Sequence, residues 1–144
     1  SATADRVNAH LSDEAATLAF GARFVDFALS NELVFLHGDL GAGKTTLVRG
    51  YLRALGFAGA VKSPTYTLLE SYEIGSRKVY HFDFYRIVDP RELGYIGIDD
   101  LMGQQAVKLV EWPANAGDRL PRADMEVRLG VEGLGRRIEI DFRR

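Results

Sequence analysis

The apolar positions of this chain follow two rhythms, one helical and one of short continuous runs. Residues 13–29 set Ala16, Leu18, Ala19, Phe20, Ala22, Phe24, Val25, Phe27 and Ala28 near helical spacing, behind Asp13 and Glu14. The spacing predicts a helix with Ser12 as its N-cap. Leu33, Val34, Phe35, Leu36 and His37 form a short, almost wholly apolar run, the pattern of a strand buried on both faces. Helical periodicity returns over residues 44–55 through Leu47, Val48, Tyr51, Leu52 and Leu55, and Gly56 is placed to end that helix.

The middle of the chain reads as strands over residues 67–74 and 78–85, joined at Gly75 and Ser76 as a hairpin. Residues 90–103 predict short helices and loops, residues 106–112 another apolar strand, and residues 113–121 a loop. Two further runs, 125–131 and 136–142, read as a terminal hairpin around residues 132–135. Neither a repeat nor a linker composition interrupts the 144 residues, so a single domain over 1–144 is expected, with strands and helices mixed as in the α/β class.

Between the first apolar run and the second helical stretch lies the sequence that carries chemistry. Gly38, Asp39, Leu40, Gly41, Ala42, Gly43, Lys44 and Thr45 satisfy G-x-x-x-x-G-K-[ST], with a predicted strand before and a helix after. Glycines at those positions let successive backbone N–H groups turn into one cavity, and the helix N-terminus behind them favours an anion. Lys44 is suited to the β- and γ-phosphates of a nucleotide and the Thr45 hydroxyl to Mg²⁺. The acidic Asp39 is expected to point away from the phosphates. An ordinary glycine-rich turn is the bland alternative.

Such a loop needs a carboxylate to complete the metal shell and a group to orient the attacking water. Glu111 closes the apolar run 107–110 at the strand edge where ligands of open α/β sheets sit, and is the candidate for the cation. Asp83 is the second acid. Period-two alternation sets His81, Asp83 and Tyr85 on one face of its strand, with a solvated hairpin face and an Asp83–Arg86 ion pair as the alternative. Thr65, in the segment Ser63-Pro64-Thr65-Tyr66-Thr67, is a candidate sensor of phosphate or metal, or part of a plain entry into the next strand. Trp112, the one tryptophan, is either a core anchor or a cap on the nucleotide site. His10 and His37 lack ligand spacing.

Composition removes other classes. There is no cysteine, which excludes disulfides and thiolate zinc sites and fits a reducing cytosol. Net charge is −2, which gives no general nucleic-acid face. No apolar stretch approaches the roughly 20 residues that span a bilayer, and the opening residues Ser1 to Asp5 show no secretory signal.

Residues 38–46 (GDLGAGKTT), 63–68 (SPTYTL), 81–86 (HFDFYR) and 111–112 (EW), in this order and spacing, resemble the motif series of the TsaE family. Those are bacterial P-loop ATPases of tRNA threonylcarbamoyladenosine synthesis. The resemblance spans nearly the whole chain. It implies a three-layer α/β/α P-loop NTPase fold with a mixed sheet and a C-terminal antiparallel hairpin, and a cytoplasmic protein. It also implies a slow, Mg²⁺-dependent ATPase that acts with the TsaD–TsaB pair and meets tRNA only through that complex.

By the same resemblance the nucleotide is held by residues 38–46 together with Thr65 and Trp112, and Mg²⁺ by Thr45 and Glu111. Asp83 assists the attacking water, and Lys44 stabilises the transferred phosphoryl group. Two other readings stay open on the residues alone. A small-molecule kinase would use Arg86 or Arg91 for its acceptor, and a nucleotide-gated interaction module would have no useful turnover.

Overall fold

The computed structural model describes residues 6–143; Ser1 to Asp5, read above for a signal segment, and Arg144 lie outside it. Seven strands form one mixed sheet: β1 (Arg6–Leu11), β2 (Leu33–His37), β3 (Leu69–Ile74), β4 (Arg77–Asp83), β5 (Val107–Glu111), β6 (Met125–Glu132) and β7 (Gly135–Phe142). Their order across the sheet is β1-β7-β6-β2-β5-β4-β3. The four central strands β6, β2, β5 and β4 are parallel, and antiparallel partners close both edges.

One face is covered by α1 (Glu14–Ala22), α2 (Phe24–Phe27) and α3 (Lys44–Leu55). The apolar residues of α1–α3 pack on Val34, Leu36, Leu109, Val127, Ile138 and Ile140. The other face is covered by short elements only: a 3-10 helix over Pro90–Ile96, α4 (Ile98–Met102) and a 3-10 turn over Pro113–Ala116. Beneath them Phe82, Phe84, Leu93, Ile98 and Val110 form a second apolar cluster. The layering expected for the class is thus present, with a thin third layer. Among the described residues no helix is long and apolar enough to cross a membrane.

The helix predicted over residues 13–29 is two helices. Arg23 turns the chain between them, and its N–H reaches back to the Phe20 carbonyl. The N-cap is Asp13, not Ser12: Asp13 is extended, and its carboxylate accepts the Ala16 N–H at 2.8 Å. Strand β1 went unpredicted. Its inward residues Val7, Ala9 and Leu11 alternate with Arg6, Asn8 and His10, a period-two signal weakened by short length and a small central side chain. Strand β3 begins at Leu69 instead of 67, because Leu68 has a left-handed backbone (φ 68°) and its N–H turns back to the Pro64 carbonyl. Strand β4 stops at Asp83, so Tyr85 lies beyond it rather than on a shared strand face with His81.

What places the phosphate loop is the crossing of α1 and α3. A Cβ on Gly21 would come within 2.1 Å of the Leu47 carbonyl oxygen, and one on Gly50 within 2.1 Å of the Leu18 carbonyl oxygen. The two helices therefore touch backbone to backbone, one glycine from each side, which holds the start of α3 over the end of β2. Alanine favours a helix interior over glycine by about 1 kcal/mol, yet here it must push the helices apart. Gly50→Ala should thus lower stability by roughly 1–3 kcal/mol in urea unfolding, the usual range for an overpacked contact. A gain in stability would show that the helices do not meet this way.

Candidate nucleotide site

The loop from Gly38 to Gly43 leaves the end of β2 and enters α3 directly at Lys44. Gly43 is the N-cap of α3 at φ 106°, a left-handed conformation that side-chain-bearing residues rarely adopt. It is what lets the loop turn so sharply into the helix. A cavity of about 310 Å³ opens before that helix N-terminus, walled by Leu40, Gly41, Gly43, Lys44, Thr45 and Thr46 from the loop and α3. Ser63, Thr65, Asp83 and Glu111 complete its walls. A helix N-terminus with glycine-rich backbone and a lysine is an anion site by construction.

Lys44 is buried, with 6 % of its surface exposed. Its ammonium donates to the Gly38 carbonyl, lies 3.4 Å from Glu111 Oε1 and sits 4.5 Å from the centroid of the Trp112 ring. A buried cation requires such compensation, because desolvation alone costs several kcal/mol. Trp112 itself has a left-handed backbone (φ 55°), and the Tyr85 ring packs on its ring with centroids 5.0 Å apart. Its Nε1 is buried without a partner. Trp112 thus packs against the second apolar cluster and reaches Lys44, but it is not one of the residues that wall the cavity.

The two acids meet where β4 and β5 end. Asp83 and Glu111 are paired in the parallel register and both are buried. The Asp83 backbone N–H donates to the Leu68 carbonyl, and Asp83 Oδ1 accepts the Tyr85 N–H at 2.8 Å. Burial pushes the Asp83 carboxyl above the usual carboxylate range and the charge of Glu111 adds to this. The Tyr85 N–H, Lys44 and His81 pull in the opposite direction. The alternative of a solvated Asp83 paired with Arg86 is not what forms: Asp83 is 3 % exposed, and Arg86 stacks on the Tyr66 ring at 4.1 Å. Asp39 is exposed and takes no part in the cavity wall, while Ala42 is buried beneath the loop.

Thr45 and Thr65 both line the cavity. Two residues were missed. His81 is fully buried and bonds Glu111 across 2.6 Å; its place two residues before Asp83 on one strand face was the available signal. Arg136 at the start of β7 donates to the carbonyls of Ala42 and Gly41, at 2.9 and 3.1 Å, and so ties the terminal hairpin to the back of the phosphate loop. No local pattern announces that contact. Beside Arg136 a second cavity of about 290 Å³, walled also by Asp13, Glu14, Thr17 and Leu134, shares Gly41, Gly43 and Thr46 with the first.

Among the described residues no group of three His, Asp or Glu side chains forms a cation cage. What the cavity offers is the Thr45 hydroxyl with the Glu111 and Asp83 carboxylates, hard oxygen donors too few to hold an ion alone. That set fits Mg²⁺, which is commonly held by one or two protein oxygens together with substrate phosphates and water.

Comparison with known proteins agrees with this architecture. The family described as "Threonylcarbamoyl adenosine biosynthesis protein TsaE" matches residues 11–138. A protein of Haemophilus influenzae named tRNA threonylcarbamoyladenosine biosynthesis protein TsaE is 43% identical over 136 residues, covering 91% of this chain and 86% of its own length. A Bacillus subtilis protein of the same name is 38% identical over 116 residues, covering 81% of this chain and 72% of its own. The crystal structure of YdiB from Bacillus subtilis superposes with a TM-score of 0.82 at 27% identity, covering 100% of this chain and 90% of that one. On the extent of these matches, the chain belongs to the TsaE family.

Proposed function

We propose that this chain binds ATP with Mg²⁺ and hydrolyses it slowly, as the ATPase of tRNA threonylcarbamoyladenosine synthesis in the cytoplasm, acting with the TsaD–TsaB pair. The observation that carries the reading is the cavity before α3, where loop backbone, Lys44, Thr45, Asp83 and Glu111 converge. The pathway is that for which the matched relatives are named. We take residues 1–144 as one ATPase unit.

In this reading the triphosphate lies along residues 38–46, with its nucleoside end toward the second cavity, next to Thr17, Leu134 and Arg136. Lys44 moves its ammonium from Gly38 and Glu111 to the β- and γ-phosphates, and Trp112 keeps water from that side of the lysine. Thr45 and Glu111 would hold Mg²⁺, which would supply neutralisation of the phosphate charge. Asp83 orients the attacking water and accepts its hydrogen bond. Thr65, in the wall of the same cavity, contacts the γ-phosphate side. ADP is the product and remains on the same loop.

Slow turnover by the chain alone follows from the cavity walls, which contain no arginine to compensate charge in the transition state. The kinase reading finds no acceptor ligand in the cavity walls, to which neither Arg86 nor Arg91 contributes. An interaction module without turnover would not require a carboxylate held as Asp83 is.

The decisive experiment is ATP turnover by the purified chain, alone and with TsaD–TsaB added. A low basal rate that changes on adding the pair is expected; a brisk rate indifferent to it, or phosphate transferred to a small metabolite, would overturn the reading. Lys44→Ala should weaken ATP binding in calorimetry by about 2–3 kcal/mol, the cost of losing a charge-assisted contact to phosphate. Undiminished affinity would count against the phosphate assignment.

Asp83→Asn should abolish hydrolysis with ATP binding kept, since the amide retains the Tyr85 contact but cannot accept from water as a carboxylate does. Ionised Asp83 is the active form. Turnover by the natural chain should therefore rise with pH through a limb above the ordinary carboxylate range. The folded state also holds this proton more tightly than the unfolded chain, so stability falls as pH rises through that window. Asp83→Asn, which cannot ionise, should melt no lower than the natural protein at neutral pH. A variant that is both active and less stable would exclude this role.

A further inference from the structure

We propose that His81 is a positioning residue for Glu111, holding one carboxylate oxygen so that the other alone is presented to Lys44 and the metal. The proposal rests on the nucleotide reading above and assigns a role to a side chain that reading does not use.

His81 is completely buried in the middle of the sheet, on a strand whose neighbours Val79 and Phe82 are apolar. Its Nε2 lies 2.6 Å from Glu111 Oε2, and its Nδ1 is buried with no partner. A carboxylate only accepts, so Nε2 carries the hydrogen and donates it. The Glu111 contact is thus the imidazole's one hydrogen bond among the described residues. A side chain present for packing alone would be apolar here, because a buried ring nitrogen without a partner costs free energy that a leucine avoids.

The register explains the approach. Glu111 is paired with Asp83 across β4 and β5, and His81 precedes Asp83 by two residues on the same strand face. The imidazole therefore reaches Glu111 from a position further back along β4 than Asp83, outside the cavity walls. Glu111 Oε1 faces Lys44 at 3.4 Å. Without His81, Oε2 would be a buried acceptor lacking a donor, and the carboxylate would turn both oxygens onto the ammonium. Such a clasp would hold the lysine away from phosphate and remove Glu111 from the cation. His81 keeps the two functions apart by occupying one oxygen.

The test is binding of Mn²⁺ to the full chain in the presence of ADP, read by the electron paramagnetic resonance of the free ion. ADP binding without metal is measured alongside by calorimetry. His81→Leu should weaken Mn²⁺ binding about 10–100-fold, the usual cost of losing a partner that orients a metal ligand. His81→Gln, whose amide nitrogen reaches about as far as Nε2, should restore most of the affinity. His81→Asn, polar but too short, should behave as His81→Leu. If the leucine variant does not fold, the Asn–Gln contrast decides alone. Equal weakening by Gln and Asn would show a packing role, and undiminished Mn²⁺ affinity in the Leu or Asn variant would show none; either overturns the proposal. Absence of ADP-dependent Mn²⁺ binding in the natural protein would instead remove the nucleotide–metal reading, and this inference with it.

Discussion

A lysine ammonium held almost out of water at the end of a parallel sheet is the constraint around which the rest is arranged. Lys44 cannot be buried without oxygen neighbours, and those available are the Gly38 carbonyl and Glu111. Glu111 in turn cannot be buried unless its second oxygen finds a donor, which is His81. Each group answers the desolvation of the one before it. The sequence runs from loop to β5 to β4, three segments far apart in the chain and brought adjacent by the order β2-β5-β4. The parallel register that sets Asp83 beside Glu111 completes this arrangement.

The same neighbourhood is where the chain departs from relaxed geometry. Leu68 and Trp112 are the two described non-glycine residues with left-handed backbone, and both adjoin the site. Leu68 accepts the Asp83 N–H, while Trp112 brings its ring to Lys44. Strain of order 1–3 kcal/mol at such positions persists only when the surroundings fix it. Here the apolar cluster beneath the thin layer of short helices supplies that fixing, through Phe82, Phe84 and Val110. An acid whose ionisation is disfavoured by burial, next to a carboxylate already paired with Lys44 and His81, fits the same pattern of stability given up at this end of the sheet.

Much of this was legible in the chain. The phosphate loop, β2, α3, the β3–β4 hairpin, β5 and the terminal hairpin follow from patterns that act over a few residues. So does the presence of two strand-end acids. What escaped were features decided by distant partners. β1 has its period-two signal but becomes a strand only because β7 is there to pair with it. The break at Arg23 and the cap at Asp13 reflect where α1 must lie against α3, not helix propensity. Asp83 is legible as a candidate acid, but its burial is not, because periodicity reports the face and not what covers it. His81, in the same alternation, received no role for the same reason. Arg136 acts on loop residues more than ninety positions earlier, and no spacing rule reaches that far.

That distant contact bears on how the loop is held at all. A glycine-rich loop has much conformational entropy to lose, and its carbonyls must point somewhere once its N–H groups converge on an anion. Arg136 donates to two of those carbonyls, Gly41 and Ala42. The α1–α3 crossing fixes the helix that follows, through backbone contact at Gly21 and Gly50. The loop is thus restrained from both ends and from behind, while its front is left to the lysine and the cavity. The terminal hairpin, which carries none of the phosphate-binding motifs, is in this sense part of the phosphate site: it orders the loop's carbonyls so that its amides are free for a ligand.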